Sequence, residues 1–180
     1  MSKYLRIILS PLSVIYYLII QFRNYFFDKN IFKSEKVDAK IISLGNLSVG
    51  GSGKTPAVIT VSKILKEHGK HVGILSRGYR RRSKGYQLVS SGGGPITSVD
   101  EVGDEIYLTA METQVPAAVS EKRTEGAKRL IAESKIDTIV LDDAFQHRWI
   151  ARDLDILIFD QRLFVEPVLF EKFLIPFGYM

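Results

Sequence analysis

Ser48, Val49, Gly50, Gly51, Ser52, Gly53, Lys54 and Thr55 form a run whose residue types and spacing suit it to wrapping the phosphates of a nucleoside triphosphate. Its glycines let backbone N–H groups turn inward on an anion, and a following helix would add the partial positive charge of its N-terminus. Lys54 can reach terminal phosphates, and the Thr55 hydroxyl can hold magnesium. The strict pattern G-x-x-x-x-G-K-[ST] has glycine where this chain has Ser48, with Gly50 and Gly51 supplying flexibility beside it. ATP or GTP, with Mg2+, is the chemistry these residues point to.

A second signature is Thr138-Ile-Val-Leu-Asp142-Asp143, an apolar strand that delivers two carboxylates at its C-terminal end. This resembles a Walker B motif, and in a parallel sheet that end faces the crevice where ligands bind. Asp142 is the candidate magnesium ligand, placed to share the cation with Thr55. Between the two signatures lies Ser76-Arg77-Gly-Tyr-Arg80-Arg81-Arg82-Ser-Lys84, a basic loop at the same end of the sheet. Guanidinium forks match phosphate oxygens, so Arg77, nearest the strand end, is a candidate phosphate clamp, and Arg80 to Arg82 could equally meet lipid head groups. Gly103-Asp104-Glu105 opens a further helix, where an acid by itself signals a favourable cap and dipole contact.

These groups need a scaffold, and the rest of the chain alternates strand and helix signals. Ala39 to Leu44 reads as a buried strand ahead of the phosphate loop, and Pro56 to Glu67 carries apolar residues at helical spacing after it. Strands are expected at 71–75, 85–89, 115–119, 138–141 and 155–159, with helices at 104–111 and 124–133. Such alternation means an α/β fold with a mostly parallel sheet and flanking helices, a P-loop NTPase-like domain. With 180 residues, 46% of them hydrophobic, the chain can bury one sizeable core. It has no cysteine, which excludes disulfides, thiolate metal sites and cysteine nucleophiles. A net charge of +5 suggests an anionic partner.

The N-terminal segment narrows that partner. From Tyr4 to Phe27 it is rich in Leu, Ile, Val, Tyr and Phe, yet Lys3, Arg6, Ser10, Ser13, Tyr17, Gln21, Asn24 and Asp28 fall on one helical stripe. Its apolar-rich part free of charges, Ile7 to Ile20, would be about 21 Å of helix against about 30 Å of bilayer hydrocarbon, so a helix lying in the interface fits better than one that spans. Pro11 predicts a kink. Lys3, Arg6, Arg23, Lys29, Lys33 and Lys36 flank the segment and would attract an anionic membrane surface. The expected organisation is therefore residues 1–36 as an amphipathic membrane-associated helix, with a soluble helix packed on the domain's own core as the alternative, and 37–180 as the nucleotide-binding domain.

Gly45-Asn-Leu-Ser-Val-Gly-Gly-Ser-Gly-Lys-Thr-Pro56, Leu75-Ser-Arg-Gly-Tyr79, Val102-Gly-Asp-Glu105 and Leu141-Asp-Asp-Ala-Phe-Gln-His147 together resemble the tetraacyldisaccharide 4'-kinases of lipid A biosynthesis. That resemblance implies a peripheral enzyme at the cytoplasmic face of the bacterial inner membrane. It would transfer the γ-phosphate of ATP to the 4'-hydroxyl of a tetraacylated glucosamine disaccharide 1-phosphate, an acylated lipid partner. Carried onto this sequence, it implies Asp104 as the base and Lys54, Arg77, Asp143 and His147 as further catalytic-site residues. Gln146 and Arg123 would join Ser48 to Thr55 at the nucleotide, and Glu105 would join Thr55 and Asp142 at magnesium. Members usually carry glycine where this chain has Ala144. They also continue into a smaller second lobe, so the chain is expected to be the N-terminal part, with that lobe missing.

The competing class is a membrane-recruited nucleotide switch that binds a protein partner. GTP recognition usually brings Asn-Lys-x-Asp after the Walker B strand, whereas Ser134-Lys-Ile-Asp137 precedes it here. Partitioning-type ATPases carry a signature lysine where this chain has Val49. Nucleic acid is not expected as a partner, since no basic surface interleaved with aromatics accompanies the positive charge.

Overall fold

A computed structural model describes residues 3–46, 53–144 and 147–158 of the chain, with side chains from residue 15 onward. The described residues fall into two compact units, one holding 3–33 and 46, the other Ser34–Gly45 and Gly53–Ile158.

In the first unit, helix α1 runs from Lys3 to Asp28 and passes through Pro11. Ile15, Tyr16, Tyr17, Leu18, Ile19, Phe22 and Tyr25 are all exposed along it. Ile15 to Ile19 are five successive residues, so exposure extends around more than one side of the helix there. Near its end it packs, where Phe27 is buried and the rings of Phe26 and Phe27 meet Phe32 at 5.2 and 5.5 Å. Among the described residues no helix is long and apolar enough to cross a membrane.

The second unit is built on six strands, β1 (Lys40–Asn46), β2 (Val72–Ser76), β3 (Gln87–Ser91), β4 (Pro116–Val119), β5 (Thr138–Asp142) and β6 (Leu154–Ile158). Their spatial order is β3-β4-β2-β5-β1-β6. At the centre, β2 and β5 are buried at every residue, the pattern expected of parallel strands covered on both faces. β5 pairs in parallel with β1 and β2, and β2 with β4.

Alternate residues face opposite layers. Leu44, Ile74, Val119 and Val140 meet one core cluster with Val58 of α2 (Lys54–Glu67), Val102 of α3 (Val99–Val102) and Ile106 of α4 (Asp104–Thr113). Ile41, Leu75, Ile139 and Leu141 meet the other, with Ala127 and Leu130 of α5 (Arg123–Ser134). Burying apolar side chains of this size contributes about 1.5–3 kcal/mol each.

One strand departs from the expected parallel arrangement: β3 runs antiparallel to β4, with an irregularity between Leu88 and Ser90. The segment 77–86 that leaves β2 contains no helix. Without a crossover element the chain can only reverse and descend, which makes β3 an antiparallel edge.

Register places the chemistry. Leu44 of β1 lies opposite Asp142 of β5, and Leu75 of β2 opposite Leu141. The end of β1 that leads toward residues 47–52, the end of β2 that leads to Arg77, and the two aspartates therefore share one edge of the sheet.

Candidate active site

At that edge, α2 begins with Lys54 and Thr55 behind Gly53, whose φ of 77° lies in the left-handed region that glycine adopts without strain. Among the described residues no side chain makes a capping hydrogen bond to the helix start, an end that carries partial positive charge. Ser48, Val49, Gly50, Gly51 and Ser52 lie outside the described residues, as does Gln146. Lys54 Nζ is 3.4 Å from Asp143 Oδ1. Asp143 itself has φ 50°, a left-handed conformation that aspartate tolerates better than most residues and that turns its carboxylate outward. Asp142 remains buried, so the adjacent carboxylates occupy different environments.

Ser76 Oγ donates to Asp142 Oδ2 at 3.2 Å, and Arg123 Nη2 donates to the Asp142 main-chain oxygen at 3.3 Å. Burial, followed by the charges of Glu105 and Asp143, pushes the Asp142 carboxyl up to about 6, against the opposing influence of Ser76 and Arg123. Burial likewise pulls Arg123 down to about 10, with Asp142 opposing the change. Arg123 Nη1 also donates to the Ser120 main-chain oxygen at 2.6 Å. The guanidinium thus stands behind Asp142, fixing the ends of β4 and β5 together.

Glu105 reaches Asp142 electrostatically from the first turn of α4. Asp104 is exposed beside it and accepts the Glu105 N–H at 3.0 Å, a helix-start contact that leaves its other oxygen free of that bond. Arg77 is exposed at the end of β2 and near enough to Arg123 to depress its basicity. His147 is half-buried in the turn after β5, where its N–H donates to the Ala144 oxygen. Lys54, Asp142, Asp143, Arg77, Glu105 and Arg123 are therefore linked by contact or charge, with Asp104 next to Glu105 and Thr55 next to Lys54.

A divalent cation fits this donor set. Asp142 is a buried carboxylate whose pKa is raised first by burial and then by the charges of Glu105 and Asp143, and a cation would favour its charged form. Among the described residues no three His, Asp or Glu side chains form a ready-made cage. Magnesium is commonly held by one or two protein oxygens and completed by substrate phosphates, which suits Thr55 and Asp142.

The basic loop divides its work. Arg81 turns inward, its side chain 3% exposed, and donates to Ser83 Oγ at 3.1 Å, Gly85 O at 2.6 Å and Glu121 Oε1 at 2.5 Å. Glu121 also accepts the Gly85 N–H at 2.9 Å. Arg80 lies over the Tyr79 ring at 5.1 Å, and Arg82 makes an exposed pair with Asp100 at 3.8 Å. Sequence reasoning missed Ser76 as a site residue and the Arg81–Glu121 pair as a structural one. A hydroxyl closing an otherwise apolar strand was the available signal for Ser76; Glu121 lies 40 positions from Arg81 and offered none.

The sequence model of the tetraacyldisaccharide-1-P 4'-kinase family matches residues 5–180. The chain belongs to this family. A 4'-kinase of Aquifex aeolicus is 45% identical over 159 residues, covering 88% of this chain and 50% of that protein. One from Chlorobaculum tepidum is 44% identical, covering 84% of this chain and 45% of that protein. The crystal structure of LpxK from Aquifex aeolicus in complex with ATP superposes with a TM-score of 0.86 at 42% identity, over 98% of this chain and 54% of that one. The chain thus spans about half the length of the curated relatives it matches, and shares with that 4'-kinase the mostly parallel sheet and flanking helices.

Proposed function

We propose that this chain carries the nucleotide-binding and phosphoryl-transfer machinery of a tetraacyldisaccharide 4'-kinase. The observation that carries the reading is the meeting of Lys54 and Asp143, the buried Asp142 and the acidic start of α4 at one edge of the sheet. Family membership favours this kinase over the membrane-recruited switch.

In the proposed reaction the 4'-hydroxyl oxygen of a tetraacyldisaccharide 1-phosphate attacks the γ-phosphorus of ATP. An oxygen–phosphorus bond forms, the bond to the β,γ-bridging oxygen breaks, and ADP leaves with the electron pair. The hydroxyl proton passes to Asp104. Lys54 and Arg77 neutralise charge spreading over the transferred group, which in phosphoryl transfer matters more than covalent help. Asp143 orients Lys54, and Arg123 holds the Asp142 backbone. Magnesium on Thr55 and Asp142 would screen the phosphates. The N–H groups of residues 48–55 would cradle them, with Gln146 as a further nucleotide contact and His147 as a further catalytic-site residue.

The exposed apolar residues of α1 support a place at an anionic membrane surface, from which an acylated substrate can be reached without extraction. In the full-length protein, Lys54→Ala is expected to abolish ATP binding, whereas Asp104→Ala should retain binding and lose phosphate transfer by at least about a hundredfold. Full transfer activity in Asp104→Ala would refute the base assignment.

A further inference from the structure

We propose that Ser76 is a positioning residue for phosphoryl transfer, one hydroxyl that sets the free oxygen of Asp142 and the loop carrying Arg77 at the same time. The inference rests on the nucleotide-site reading above. Ser76 ends β2 and is buried. A hydroxyl has one proton and two lone pairs, so it can donate and accept together. Here Oγ donates to Asp142 Oδ2 at 3.2 Å and accepts the Gly78 N–H at 3.4 Å. With Oδ2 engaged and the main-chain oxygen held by Arg123, Oδ1 is left for a cation.

The other arm of the bridge reaches the helix that bears the base. Gly78 has φ +74°, and a Cβ there would come within 2.9 Å of the Val102 oxygen. A Cβ on Gly103, φ +96°, would stand 2.7 Å from the Tyr79 oxygen. Main chain therefore lies against main chain between Gly78–Tyr79 and Val102–Gly103, with the Arg81 side chain also close to Gly78. From Asp142 the path runs through Ser76 by hydrogen bonds of 3.2 and 3.4 Å to Gly78, and through the close approach of Gly78–Tyr79 to Val102–Gly103 it arrives at Asp104. Because Ser76 touches neither nucleotide nor acceptor in this scheme, it acts through Asp142 and the loop. An aspartate carboxyl turns easily about its last torsion, so removing the donor frees Asp142 to present either oxygen.

The test uses this 180-residue chain and its Ser76→Ala and Ser76→Thr variants, titrated calorimetrically with ATP in excess magnesium and with ATP in EDTA. Ser76→Ala is expected to bind Mg·ATP about tenfold more weakly, the scale of one hydrogen bond to a charged group, with a smaller loss of about twofold for metal-free ATP through the loop that carries Arg77. Ser76→Thr, which keeps the hydroxyl, should recover most of the loss, and the thermal midpoint of Ser76→Ala should stay close to wild type. Equal weakening with and without magnesium, or none, would overturn the inference. Wild-type chain that gains no affinity from magnesium would instead refute the underlying nucleotide site, a failure visible before any variant is made.

Discussion

Asp142 sets the residue-scale energetics. Its carboxyl is pushed up to about 6 by burial first and by Glu105 and Asp143 next, whereas an unfolded aspartate titrates near 3.9. Between those values the folded chain holds a proton that the unfolded chain has released, so stability falls as pH rises from about 4 to about 6. The effect amounts to roughly 2–3 kcal/mol for the nucleotide-free chain. Asp142→Asn is expected to remove that slope and to stabilise the chain above pH 6 by a similar amount, while losing magnesium-dependent ATP binding. Urea midpoints across pH 4–8 check this, and parallel curves for the two chains would contradict it. The sequence disclosed this aspartate through its apolar strand and the phosphate loop upstream. It could not disclose which of Asp142 and Asp143 would be buried. That follows from the left-handed turn at Asp143, which tertiary context selects.

Elements were legible wherever burial is continuous. β5 and β2 read as unbroken apolar runs and fold as central parallel strands, because covering both faces leaves no polar period to confuse the pattern. The antiparallel direction of β3 was not legible, since it depends on a missing crossover rather than on the strand's own residues. Nor was the organisation of the basic loop, where five neighbouring cations look alike in sequence. Arg81 alone is taken inside to join Ser83, Gly85 and Glu121. Arg81→Ala should accordingly cost about 2 kcal/mol by orphaning these partners. Arg80→Ala and Arg82→Ala should stay within about 0.5 kcal/mol of wild type. Chemical denaturation of the three variants measures the contrast, and equal effects would show that the clasp does not hold the loop. Because that loop also supplies Arg77, Arg81→Ala is expected to weaken ATP binding as well.

At the scale of the whole molecule, a nucleotide-binding sheet and an apolar N-terminal helix make sense together if the acceptor is a lipid. Deleting residues 1–33 is expected to abolish sedimentation with vesicles containing phosphatidylglycerol. The intact chain should bind them, and more weakly as salt rises. Salt-independent binding would contradict the electrostatic part of that account. The three- and four-position spacing of its polar residues made the helix itself readable from sequence. The central claim is the reaction itself. Its most direct measurement is transfer of radiolabelled γ-phosphate from ATP to a tetraacyldisaccharide 1-phosphate in mixed micelles, by this chain and by one extended to the length of its relatives. Labelled 4'-phosphorylated lipid formed by the extended chain, and lost in its Lys54→Ala variant, is the expected result. No labelled lipid from either chain would contradict the account.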